Sequence, residues 1–185
     1  MRRLVLLSTL SVAALLALAA PASADGPWDR LLAPQGSCGA QTDRGGSVRA
    51  QERAMRCLVN FARRAEGLAP LRKRGSRLSK AADRKAADIL RCGEFSHTAC
   101  GRPFTFHIKA TSYAAGCYGA GENIAWGSGH LGTVRSIMSS WLNSDGHRAN
   151  LLNARYRDHG VALRIGKLSG YDGAAVWVHQ LGYRC

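Results

Sequence analysis

"GENIAWGSGHLGTVRSIMSSWLNSDGHRANLL", residues 121–152, contains both kinds of pattern from which the chain is built. Its middle is helical by spacing. Val134, Ile137, Met138, Trp141 and Leu142 recur at i, i+3, i+4, i+7 and i+8, which puts one apolar stripe on one face. On either side lie polar islands with no period. The first sets Glu122 among glycines and small residues, and the second sets His147 in "NSDGHRAN". An acid in such company is either a solvated loop charge or one corner of a site that brings a carboxylate to imidazoles.

Upstream, Met55, Leu58, Val59 and Ala62 repeat the helical spacing and predict a helix from Ser47. "GLAPLRKRGS" (67–76) ends it with Gly67, Pro70 and Gly75. A second helix is expected from Ser79, an N-cap residue type, with Ala82, Ala86, Ile89 and Leu90 inward. From Gly93 to Gly132 the chain reads as irregular and glycine-rich. Connections of that length are usually functional or braced by disulfides. Downstream, "GVALRI" (160–165) and "AAVWVHQLG" (174–182) alternate as strands do, with a turn expected at "GKLSGYDG" (166–173). Helices first and strands last, without regular alternation, point to a single α+β layered domain. Residues 25–46 show no period and hold two prolines and five glycines, so they read as an irregular tail ahead of a domain at 47–185.

The chain of 185 residues begins with a leader pattern. Arg2 and Arg3 precede the apolar run "LVLLSTLSVAALLALAA", and "ASA" (22–24) is a small-residue cleavage signal. Residues 1–24 are therefore expected to be a signal peptide, and the mature protein to be secreted with no membrane span. Six cysteines, Cys38, Cys57, Cys92, Cys100, Cys117 and Cys185, follow the leader. An even number in an exported chain predicts three disulfides. No C-x-x-C pair supports a cysteine metal site. Fifteen pairings are open. The one pair taken as an expectation is Cys92–Cys100, which would clip the short loop that carries His97.

The formal charge is +14, and losing Arg2 and Arg3 leaves +12. Nine Lys or Arg fall between Arg63 and Lys85, against Glu66 and Asp83. This run is read first as a solvated basic face, and second as an attraction to anionic envelope components. Aromatic residues are not interleaved with it, so no specific nucleic-acid partner is expected.

Most catalytic signatures are absent. The sequence has no G-x-S-x-G elbow, no H-E-x-x-H helix and no phosphate-binding Walker loop. Three polar islands remain: "EFSHT" with His97, "GAGENIAWG" with Glu122, and "NSDGHRANLLN" with His147. Their order, together with "CLVNFARRAEGLAPL" before them and "VWVHQLG" after them, closely resembles the bacterial branch of the CAP superfamily. That family takes its name from cysteine-rich secretory proteins, antigen 5 and pathogenesis-related-1 proteins. The resemblance runs from about residue 48 to 183.

This resemblance implies a three-layer α-β-α sandwich with a cleft holding two histidines and two glutamates. His97 matches the first histidine, Glu122 the first glutamate and His147 the second histidine. The second glutamate belongs one helical turn after the tryptophan matched by Trp141. Ser144 stands there instead, and Asp145 is the nearest acid that could substitute. His97 and His147, with Glu122 as a further ligand or a support for an imidazole, could hold zinc or another divalent cation. The same trio could act as general acid and base, or form a buried polar network that pins three loops together.

The other polar and aromatic residues are read more plainly. His159 and His179 are expected to be packed or solvated. His107 and His130 are read in loops with no acid nearby. Trp126, Trp141 and Trp177 are read as core, and Asn150 as a bracing amide. The function expected is a secreted module that binds a lipid- or sterol-like or anionic envelope ligand. The alternative is a metal-assisted extracellular hydrolase of peptide or cell-wall material.

Overall fold

A computed structural model describes residues 26–73 and 77–185; the leader reading at 1–24 lies outside them. Among the described residues, five α-helices, α1 (Val48–Ala65), α2 (Arg77–Cys92), α3 (Phe106–Lys109), α4 (Val134–Leu142) and α5 (Asp145–Leu151), flank three strands. The strands are β1 (Tyr118–Gly127), β2 (Asp158–Leu168) and β3 (Tyr171–Arg184), antiparallel in the order β1-β3-β2.

Side-chain alternation along β3 makes the fold three-layered. Ala175, Trp177 and Leu181 enter a core shared with α1 and α4, which supply Met55, Leu58, Val59, Ala62 and the α4 stripe. Ala174, Val176 and Val178 enter a second core with Ala82, Ala86 and Ile89 of α2. Because helices cover both faces of the sheet, β3 runs apolar on both faces from Ala174 to Val178. Trp141 and Trp177 are fully buried, and each indole N–H is satisfied by a carbonyl, of Ile124 at 3.3 Å and Gly132 at 3.0 Å. Burying a side chain of this size supplies much of a small core's stability.

α1 begins as its sequence predicts, with the Ser47 hydroxyl accepting from the Ala50 amide. α2 runs from Arg77, so Ser79 lies inside the helix. There it packs against β2. A Cβ on Gly160 would stand 2.1 Å from the Ser79 nitrogen, so the helix can approach this closely only because position 160 has no side chain.

The main correction concerns residues 118–127, read as irregular and found as β1, paired residue for residue with β3. Glycine masks the alternation. At Gly121 a Cβ would stand 2.4 Å from the Tyr156 hydroxyl, so tertiary packing excludes the side chain that would have marked a strand. The strand turn is also tighter than expected. β2 extends to Leu168, and Ser169 and Gly170 make a two-residue hairpin with both φ positive.

Three disulfides are present: Cys38–Cys57, Cys92–Cys100 as expected, and Cys117–Cys185. The first ties the N-terminal segment to α1, and Leu31 and Ala33 of that segment are fully buried in the α1–α4 core. Among the described residues, no helix is long and apolar enough to cross a membrane.

Candidate functional site

Register places the first corner of the site. Glu122 on β1 stands opposite Gln180 on β3, and both face the α2 layer. The Gln180 amide donates to Glu122 Oε2 at 2.5 Å, and His97 Nδ1 lies 2.7 Å from Oε1. The Glu122 side chain is 1% exposed, whereas that of His97 is 53% exposed. A carboxylate only accepts, so His97 donates from Nδ1, and its Nε2 is left with the lone pair.

The loop carrying His97 is held from several sides. The Cys92–Cys100 bridge closes it, the Glu94 carboxylate accepts from the Cys100 amide, and the Ser96 hydroxyl accepts from the Thr98 amide. From below, Lys85 Nζ donates to the His97 carbonyl at 2.8 Å. Lys85 is 1% exposed. Burial lowers its pKa, and the charges of Glu122, Asp88 and Glu94 oppose that shift. Lys85 therefore departs from the solvated face expected of its basic run. The missed signal is helical spacing: Ala82, Lys85, Ala86 and Ile89 share one stripe.

His147 reaches the site from α5. Asn123 Nδ2 donates to the His147 carbonyl at 3.0 Å, and Asn150 Nδ2 to Asn123 Oδ1 at 2.9 Å, so Asn150 braces as expected. His147 Nδ1 contacts the Ser144 hydroxyl at 2.9 Å. Burial lowers the His147 pKa, and the positive charge that His97 can carry lowers it further. The two imidazoles therefore lie within electrostatic reach, but His147 is bonded to Ser144 rather than to Glu122. Asp145 does not join them. Its carboxylate is 95% exposed and held by Arg148, because it occupies the solvent side of the first turn of α5.

A resident zinc or similar ion needs at least three protein donors here. Among the described residues, no three His, Cys, Asp or Glu side chains are gathered to hold a metal. With His97 Nδ1 engaged by Glu122 and His147 Nδ1 by Ser144, the two imidazoles offer their Nε2 atoms alone, one donor short of the three.

The remaining histidines divide. His107 was read without an acid partner, yet its Nε2 lies 2.7 Å from Asp88, which the fold brings from α2. Burial alone would raise the Asp88 pKa, but bonds from Arg91, His107 and Arg102 outweigh it and lower it to about 2. His159 and His179 are packed: Nδ1 of the first meets Nε2 of the second at 3.1 Å, and His179 stacks on Trp141. Trp126 is half-buried, packed against the margin of the α2-side core and beside Tyr171.

Comparison with known proteins agrees with the architecture. The family described as the cysteine-rich secretory protein family, CAP, matches residues 57–180. Protein YkwD of Bacillus subtilis (strain 168) is 34% identical over 137 residues, 72% of this chain. The match spans 48% of that relative, about half its length. An outer surface protein of Borrelia burgdorferi superposes with a TM-score of 0.63 at 19% identity, over 76% of this chain and 97% of its own. An extracellular protein of Bacillus anthracis str. Ames containing an SCP domain gives 0.53 at 22%, over 75% and 44%. At these identities the two structures establish likeness of fold alone. With two thirds of its length matched by the family pattern and its helices and sheet in the same arrangement, the chain belongs to the cysteine-rich secretory protein, or CAP, family.

Proposed function

We propose that this is an extracellular CAP domain that binds the hydroxyl-bearing end of a lipid- or sterol-like envelope ligand at His97. One observation carries the reading: the buried Glu122 carboxylate fixes the half-exposed His97 through Nδ1 at 2.7 Å. The Nε2 lone pair is then an acceptor for a ligand hydroxyl, held in orientation before the ligand arrives. Phe95, two residues away and 39% exposed, offers apolar surface for the body of such a ligand. The extracellular setting is supported by three disulfides, which persist in oxidising compartments. The outer-surface and extracellular descriptions of the Borrelia and Bacillus anthracis proteins agree with it.

Binding to phosphatidylcholine vesicles with and without cholesterol tests the proposal. Cholesterol-dependent binding should be lost in His97→Ala with the melting temperature little changed. Binding that ignores both cholesterol and His97 would overturn it.

A second reading, extracellular hydrolysis, draws on the same pair, since an imidazole backed by a carboxylate is a competent general base. His97 Nε2 would take the proton of a nucleophilic water while Glu122 stabilises the imidazolium. Turnover of peptidoglycan that disappears in both His97→Ala and Glu122→Gln would establish it.

A further inference from the structure

The outer face of α2 carries a feature the His97 site does not use. Arg77, Lys80 and Arg84 fall at i, i+3 and i+7, on one side of the helix. With Ala110, Thr111 and Ser112 they line a concavity of about 230 Å³. No acid lines it. Carboxylates are engaged elsewhere: Arg72 holds Asp158, and Arg91 and Arg102 hold Asp88. The acid nearest the trio in sequence, Asp83, is withdrawn from it. Arg164 grips both Asp83 oxygens at 2.8 Å, a two-pronged pair that turns the carboxylate toward β2. Among the described residues, no carboxylate pairs with Arg77, Lys80 or Arg84. Three like charges converging without a counter-charge are mutually repulsive, and a bound anion would relieve that cost.

The hydroxyls refine the chemistry. Thr111 Oγ1 is committed, donating to the Ile108 carbonyl and accepting from the Tyr113 amide. Ser112 Oγ accepts from Arg77 Nε at 2.6 Å, which orients the guanidinium and leaves the Ser112 O–H to donate. The concavity thus offers two guanidinium groups, one ammonium and one hydroxyl, all donors. That set suits a tetrahedral oxyanion with several acceptor oxygens. The volume exceeds several times the ~30 Å³ share of one water, room for such a group with part of its hydration.

We propose that Arg77, Lys80, Arg84 and Ser112 form a binding site for a phosphate group, presented as a free phosphate or as a phospholipid headgroup. The site stands apart from His97, so it does not depend on the function assigned there.

Inorganic phosphate titrated into the labelled protein at fixed ionic strength should give saturable amide NMR shifts confined to residues 77–84 and 110–112. Lys80→Ala/Arg84→Ala should weaken binding by roughly tenfold or more, the usual scale for losing charge-assisted hydrogen bonds. Arg49→Ala/Arg53→Ala, on α1, removes the same formal charge and should leave affinity unchanged. Vesicles of phosphatidylglycerol and of phosphatidylcholine separate the sources. Binding to the anionic vesicles that depends on Lys80 and Arg84 assigns a headgroup. Shifts with inorganic phosphate but no such vesicle binding assign a free phosphate. Shifts spread over the basic surface, or an equal loss in the α1 control, would show diffuse charge and overturn the proposal.

Discussion

Two adjacent residues of β3, His179 and Gln180, belong to imidazole sites of opposite character. Gln180 faces α2 and supports Glu122, which fixes a half-exposed His97. His179, the preceding residue, faces α1 and α4, where it meets His159 in a fully sealed setting. The first pair has a carboxylate and an open ring nitrogen. The second has no acid, leaves His179 Nδ1 without a partner and is stacked on Trp141. Burial and partner, rather than residue type, decide which imidazole can meet a ligand and which only fills space.

Breaking the sealed pair should have the largest effects. Trp141→Ala removes the ring on which His179 rests and should cost ~3–5 kcal/mol, measured by chemical denaturation. A cost under ~1 kcal/mol would mean that the α4 core does not hold this side closed.

Acid should act strongly on the same pair. Burial holds the His159 pKa at about 3, against an ordinary 6.5, and lowers His179 as well, in both cases aided by nearby positive charges. The unfolded chain then binds more protons, so stability should fall as pH drops from near 6.5 toward 3, by up to ~1.4 kcal/mol per unit for each group. Asp88, lowered to about 2, adds a loss only below the ordinary carboxylate range. A His159→Leu/His179→Leu variant should lose the slope above ~4, where carboxylates begin to titrate. An unchanged slope in that variant would assign the acid sensitivity to other groups.

The open pair should yield smaller numbers. Cys92→Ser/Cys100→Ser releases the loop of His97 and should cost ~2–3 kcal/mol by loop-closure entropy, read as a lower melting temperature. Glu122→Gln keeps the shape but weakens a charge-assisted bond, so ~1–2 kcal/mol is expected, with looser orientation of His97 visible in its ring NMR signals. Zinc should shift the melting temperature least of all, because no third donor is gathered. Stabilisation that grows with zinc concentration would instead show the loops closing around the ion.

Helices with a sealed face were plain in the sequence. The stripes of α1 and α4 place Leu58, Met138 and Trp141 correctly, because helical period and burial coincide there. The polar islands were also visible, and they named His97, Glu122 and His147. What was missed is polar and inward. Lys85 and Asp88 sit on a helical stripe that apolar counting skips, and the partner of His107 lies 19 residues away in sequence. β1 was missed because its glycines are required by Tyr156 and other neighbours that approach from distant parts of the chain.

By itself, the sequence determined the α+β class, the helical cores, the even set of cysteines and the three islands from which the site is drawn. Local periodicity and composition carry that information, because each depends only on residues within a few turns of one another. Tertiary structure alone decided the third strand, two of the disulfide pairings and the partners of each imidazole. Those depend on strand register and on which helix covers which face. A shift of one residue along β3 would set His179 in place of Gln180 beside Glu122 and turn the β3 side chains to opposite faces, so register decides which imidazole meets the carboxylate.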